Sequence, residues 1–122
     1  MDLQELRARL QRFADERDWD QFHSPKNLAM ALTVEVAELA EHFQWLTEEA
    51  SRDLPQATRD AVAAEIADVQ IYLVRLADIL EIDLLETAEA KLLENEAKYP
   101  PDRVRGSARK YTEYDVPDSG PQ

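Results

Sequence analysis

Glu35 and Glu38, and further along Glu65 and Asp68, are acids spaced three apart inside segments whose apolar residues recur at helical intervals. At about 100° per residue, Glu35 projects into the middle of the stripe formed by Leu28, Leu32, Leu39, Phe43 and Leu46, with Glu38 at its edge one turn on. Glu65 falls inside the arc of Val62, Ile66, Val69, Leu73, Leu76 and Leu80, with Asp68 and Tyr72 at its border. A carboxylate aimed at a core is unfavourable by several kcal/mol unless something pairs with it, and four acids from two helices also repel one another. A divalent cation held between the helices removes both penalties. The chain has no cysteine and no suitably placed histidine, so the ligand set is all oxygen, which suits Mg²⁺ or Mn²⁺ rather than Zn²⁺. Mg²⁺ binds through a few carboxylates together with substrate phosphates, so the implied substrate is a phosphate ester or polyphosphate. A single Glu-x-x-Glu is more often a solvated acidic face; two such pairs, both turned toward apolar stripes, favour the metal. A di-iron bundle wants Glu-x-x-His, and no Glu here has a His three residues later.

Trp19, Phe22, Trp45 and Tyr72 form a second group. Aromatics are more often core or interface residues than ligand contacts. Trp45 nevertheless shares a helix side with Glu38, and Tyr72 follows Asp68 by one turn, which puts both at the rim of a metal site, where a planar base has something to stack on. His23 alone reads as a loop or capping residue. Lys26 and Asn27, at the start of a helix, are either phosphate contacts or solvated surface.

These residues need helices to place them. Leu3, Leu6, Leu10 and Phe13 predict a first helix over 2–17. Asp18 to Ser24 breaks the pattern as a structured loop, and Ser24-Pro25 is a helix start in which the hydroxyl caps free amides and proline occupies the first turn. The second helix is predicted over 25–46, followed by a polar connection over 47–54 and a third helix over 55–81. The third also carries Ile71, Val74 and Ile79 outside its main arc, and a helix apolar over more than half its circumference predicts cover on more than one side, most simply by a second subunit. Asp83 and Glu86 resemble a capping box for a fourth helix that uses Leu85, Ala88 and Leu92 and ends at Tyr99-Pro100-Pro101. The expected fold is all-α, an antiparallel four-helix bundle-like protomer occupying residues 1–112, with 113–122 a disordered tail.

Composition narrows the classes of function. At 122 residues with 44% hydrophobic and 33% charged residues, this is one soluble helical domain, and two glycines leave little room for a turn-rich β fold. The formal net charge of −12 argues against a nucleic-acid polymer as partner. Against that acidic body stands one basic run, Lys98, Arg103, Arg105, Arg109 and Lys110 with Asp102 alone, readable as a solvated tail or as a phosphate-contacting arm. Met1-Asp-Leu-Gln lacks a basic n-region, and no apolar run approaches the roughly 20 residues that span a bilayer, so a cytoplasmic protein without membrane contact is expected.

Taken together, Glu35-x-x-Glu38 and Glu65-x-x-Asp68 resemble the metal motif of the MazG-like all-α nucleoside triphosphate pyrophosphohydrolases, most nearly the dCTP pyrophosphatase branch. Further likenesses are Glu16-Arg-Asp-Trp-Asp-Gln-Phe-His-Ser-Pro-Lys-Asn27, Glu35-Val-Ala-Glu-Leu-Ala-Glu-His-Phe-Gln-Trp45, Glu65-Ile-Ala-Asp-Val-Gln-Ile-Tyr-Leu73, Lys98-Tyr-Pro100 and Ser107-Ala-Arg-Lys-Tyr-Thr112. The resemblance implies a Mg²⁺-dependent enzyme that cleaves a triphosphate, dCTP or a modified dCTP, between its α and β phosphates. It implies Glu35, Glu38, Glu65 and Asp68 as metal ligands, and Trp19, Asp20, Gln21, Phe22, His23, Trp45 and Tyr72 around the nucleoside. It brings Asn95, Lys98, Arg109 and Lys110 toward base or phosphates, and it implies dimers or tetramers with sites between subunits. Glu38, at the stripe's edge, is the better candidate to accept a proton from the attacking water. Val34 stands where many relatives double the first acid, the connection after Trp45 is short, and His42 replaces an apolar residue; these bear on substrate choice more than on reaction class. The alternatives are a broad-specificity or dUTP-directed relative, and a non-catalytic helical oligomerisation module.

Overall fold

A computed structural model describes residues 1–108 and residue 112, and every regular element among them is helical. The chain divides into two compact units, residues 1–83 and 84–122.

In the first unit, α1 (Leu3–Glu16) is capped by Asp2, whose carboxylate accepts from the Glu5 amide at 2.8 Å. It ends where Asp18 adopts a left-handed backbone (φ 53°) and the Trp19 amide returns to the Ala14 carbonyl at 2.9 Å. A short 3₁₀ turn, Asp20–Phe22, follows. Helix α2 (Pro25–Glu41) starts as predicted, with Ser24 Oγ accepting from the Asn27 amide at 3.1 Å and Pro25 in the first turn. It stops five residues short of the predicted end. Phe43 and Leu46 keep the apolar spacing, but their amides bond three residues back, to Ala40 and Phe43, which tightens the chain into turns.

The predicted polar connection holds a one-turn helix, α3 (Glu48–Ser51), capped by Thr47. Helix α4 (Gln56–Ile79) is the longest element and ends like α1, with Glu81 left-handed (φ 56°) and the Ile82 amide on the Ala77 carbonyl at 2.8 Å. The pairs Arg7–Asp78 and Gln11–Arg75 run in opposite directions along α1 and α4, so these helices are antiparallel. Helix α2 shares the most extensive interface with α4.

The buried apolar residues among those described are Ala14, Leu28, Val62, Val74 and Ala77. One expectation for α4 needs correction. Ile66, Leu73 and Leu80, placed inside the apolar arc, are exposed in the single chain, while Val74, outside that arc, is buried, in line with cover on more than one side. The reason lies in helix neighbours: near its C-terminal end α4 is met by α1, through Arg7–Asp78 and Gln11–Arg75, and the turn at 80–82 folds back onto Ala77.

The second unit holds α5 (Leu84–Lys98) and the one-turn α6 (Pro101–Val104), which begins on the proline pair that ends α5. Leu85 and Leu92, expected to pack, are exposed. The predicted tail at 113–122 lies outside the described residues.

Candidate active site

Helices α2 and α4 place three of the four predicted ligands together. Glu35, Glu38 and Glu65 each bring a carboxylate oxygen within 4.8 Å of the others. One oxygen of Glu35 and one of Glu65 are buried with no hydrogen-bond partner. Buried polar atoms are nearly always satisfied, so two orphaned carboxylate oxygens on facing helices mark a place built for something positively charged. The donor set is all oxygen, which fits a hard divalent cation. Asp68 lies one turn along from Glu65 and lines a pocket with Glu35.

Burial pushes the Glu35 carboxyl up to about 7, and the charge of Glu38, hydrogen bonding with Glu38, and the charges of Asp68 and Glu65 push the same way. A proton held in the folded protein to about pH 7 but released near 4.5 in the unfolded chain means that the folded state binds more protons across that window. The metal-free protein therefore loses stability as pH rises from 4.5 to 7. A divalent cation held by these carboxylates would bind the deprotonated form and oppose that loss. Melting temperatures measured in chelator should fall over this range, and Mg²⁺ should raise them far more at pH 8 than at pH 5. Equal Mg²⁺ effects at the two pH values would contradict the assignment.

The pocket has a volume of about 370 Å³ and is lined by Leu10, Phe13, Trp19, His23, Ile71 and Tyr72, with Glu35, Asp68 and Arg75 as its charged walls. Trp19 meets the Phe13 ring edge-on at a centroid distance of 5.5 Å and His23 at 6.1 Å. The predicted aromatics Trp19 and Tyr72 thus come together with His23 beside the acids.

The other predicted residues are placed differently. Trp45, in the turn after α2, is 87% exposed, and neither it nor Phe22 lines the pocket. Gln21 turns back on its own loop, its amide donating to the Asp18 carbonyl at 2.9 Å. Asn27 donates its side-chain amide to the Phe22 carbonyl at 3.0 Å and so pins the loop to α2. Lys26 is exposed on the first turn of α2. Asn95 and Lys98 stand on α5 in the second unit, where Lys98 Nζ is 2.9 Å from Glu94. Arg109 and Lys110 lie outside the described residues.

Arg75 is the site residue that the sequence pattern did not reveal. It is 3% exposed, a cation in the interior. Its Nε donates to His23 Nδ1 at 3.1 Å and its Nη1 to Gln11 Oε1 at 2.6 Å, while Nη2 pairs with the Asp20 carboxylate. Buried guanidinium groups persist only with such partners. Asp20 is held below the ordinary carboxylate value, first by hydrogen bonding with Asp15, then by the Arg75 charge and bonds from Gln11 and Arg75, over an opposing desolvation. A signal was present: Arg75 follows Asp68 by seven residues and Tyr72 by three, which puts all three on one side of α4.

The profile of the MazG-like family matches residues 30–114. The chain is 46% identical over 113 residues to dCTP pyrophosphatase 1 of Mus musculus, covering 91% of this chain and 66% of that protein. It is 45% identical over 113 residues to dCTP pyrophosphatase 1 of Homo sapiens, covering the same shares. The chain therefore spans about two thirds of the length of these relatives. Among solved structures, a pyrophosphatase from Archaeoglobus fulgidus matches with a TM-score of 0.75 and 43% identity, covering 80% of this chain and 91% of that one.

Proposed function

The chain belongs to the MazG-like family, and we propose that it is a divalent-metal-dependent nucleoside triphosphate pyrophosphohydrolase that converts dCTP, or a modified dCTP, to the monophosphate and pyrophosphate. The observation that carries the reading is the convergence of Glu35, Glu38 and Glu65, two of them with an unpartnered buried oxygen, beside a pocket that Glu35 lines together with Phe13, Trp19 and Tyr72. Kinship with proteins named dCTP pyrophosphatase supports the substrate.

In this reading Glu35, Glu38, Glu65 and Asp68 hold the cation, with Mg²⁺ the natural occupant and Mn²⁺ a substitute. When bound, the metal supplies charge neutralisation for the triphosphate and acidifies a water. Glu35 and Glu65, recessed between α2 and α4, anchor it. Glu38 is exposed at the edge of the cluster, with access to the water that attacks the α phosphorus, and accepts its proton. Trp19, Phe13 and Tyr72 give the nucleoside flat and apolar surface and exclude water from it.

The exposed row of Ile66, Leu73 and Leu80 on α4 supports assembly as a homodimer or homotetramer, which light scattering would measure. No helix among the described residues is long and apolar enough to cross a membrane, and we place the enzyme in the cytoplasm, with its substrates.

A panel of deoxy- and ribonucleoside triphosphates, assayed for pyrophosphate release with Mg²⁺ and with Mn²⁺, tests the proposal. The expected result is release from dCTP above all others. Release from dUTP, or evenly across the panel, would replace the substrate assignment. No release from any triphosphate would overturn the enzyme reading in favour of a non-catalytic helical module.

A further inference from the structure

We propose that Arg75 is a positioning residue that fixes His23 as the Nε2–H tautomer and thereby makes His23 a hydrogen-bond donor selecting cytosine over uracil. The inference rests on the nucleotide reading of the pocket.

The guanidinium of Arg75 has only donors to offer and stays charged at any pH a protein meets. Its Nε–H donates to His23 Nδ1 at 3.1 Å, so that nitrogen must present a lone pair. A neutral imidazole with a bare Nδ1 carries its proton on Nε2. The environment also keeps the ring neutral: burial lowers the tendency of His23 to take a second proton, and the Arg75 charge adds to that, against an opposing pull from Asp20. His23 lines the pocket, and no described residue hydrogen-bonds to its Nε2. The polar hydrogen that the ring has left for a pocket ligand is therefore Nε2–H.

Helix α4 sets the distance between this donor and the acids. Asp68, Tyr72 and Arg75 all line the pocket, and seven residues of helix separate the first from the last by roughly 10 Å along the axis. With phosphates at the Asp68 turn, that length carries a nucleotide's base toward the Arg75 turn, beside Trp19 and His23. Cytosine presents an acceptor at N3, where uracil and thymine present N3–H. A fixed donor is satisfied by the first and left facing another donor by the second, and a buried donor left unpaired is what makes polar sites discriminate strongly. Gln11 and Asp20 hold the other two arms of the guanidinium, so its Nε is not free to turn away from His23.

The test pairs a spectroscopic with a kinetic readout on Arg75→Met and Arg75→Lys. The protein has two histidines, His23 and His42, so ¹⁵N NMR of the imidazoles near pH 8 is readily assigned with a His42→Gln reference. In the parent, His23 should show the Nε2–H tautomer alone; in Arg75→Met it should show a mixture. The dCTP-over-dUTP ratio of kcat/KM should fall by about 10-fold or more, with KM for dCTP rising more than kcat falls. Arg75→Lys keeps the buried charge but not the fork, and it should fold and show the same loss of tautomer purity even where Arg75→Met does not fold. An unchanged tautomer in the variants, or an unchanged ratio despite a changed tautomer, would overturn the proposal. A parent that hydrolyses no triphosphate would overturn the nucleotide reading instead, while the nitrogen spectrum still decides whether Arg75 sets the tautomer.

Discussion

Glu38→Gln and Glu65→Gln should each lower metal-dependent turnover of dCTP by about 10²- to 10³-fold or more, with the helical circular-dichroism signal intact. The substitution keeps the size of the side chain and removes its charge. At a cluster whose three carboxylate oxygens lie within 4.8 Å of one another, that charge is, in the proposed reading, what holds the cation that neutralises the reacting phosphate. Glu65 offers an oxygen that nothing else satisfies, so its loss should appear chiefly as weakened metal affinity. Glu38 is exposed and, in the proposed reading, faces the attacking water, so its loss should appear in kcat even at saturating Mg²⁺. Stopped-time assays over a Mg²⁺ titration separate the two effects. If Glu38→Gln released pyrophosphate at the parent rate with the same metal requirement, the site as drawn would be wrong.

Leu28→Ala should be the most damaging single truncation of the fold, at about 3 kcal/mol and a drop of roughly 10 °C in melting temperature. Leu28 is the one large side chain among the described residues that is essentially without solvent, at 1% exposed. It lies in the first turns of α2, on the helix that has its main interface with α4, and seven residues before Glu35 on the same side. A cavity there loosens the packing that sets Glu35 opposite Glu65, so metal affinity should weaken along with stability. Met30→Ala, on the exposed side of the same helix, is the control and should change stability by less than about 0.5 kcal/mol. A Leu28→Ala penalty as small as that of the control, read from urea midpoints, would count against the α2–α4 packing.

The helices and the acid cluster were legible because each depends on local spacing. Apolar residues at intervals of three and four marked α1, α2, α4 and α5, and Ser24-Pro25 marked the start of α2 to the residue. The inward turn of Glu35 and Glu65 followed from the same arithmetic. What depended on neighbours was harder to read. Phe43 and Leu46 continue the rhythm of α2 although the backbone has left the helix, because a tightened turn can still hold apolar side chains near their former side. The ends of α1 and α4 rest on left-handed Asp18 and Glu81, where no glycine announces the turn. Leu10 and Phe13 read only as the apolar spacing of α1 and prove to be pocket wall. Arg75 was the largest omission: its spacing places it on the Asp68 and Tyr72 side of α4, but its burial depends on Gln11, Asp20 and His23, which are distant in the chain.

Asp68, Tyr72 and Arg75 face one pocket from a single unbroken helix, and this has a consequence for how such a protein can change over time. In the proposed reading, the turn that serves the phosphates and the turn that serves the base are joined by stiff helix, yet they share no side chain. Substitutions at the Arg75 end can retune which letter is admitted while the hydrolytic end is inherited untouched, and the spacing between them is copied with the helix itself. A lineage facing a new modified nucleotide therefore needs no new chemistry, only a different residue one or two turns down the same rod.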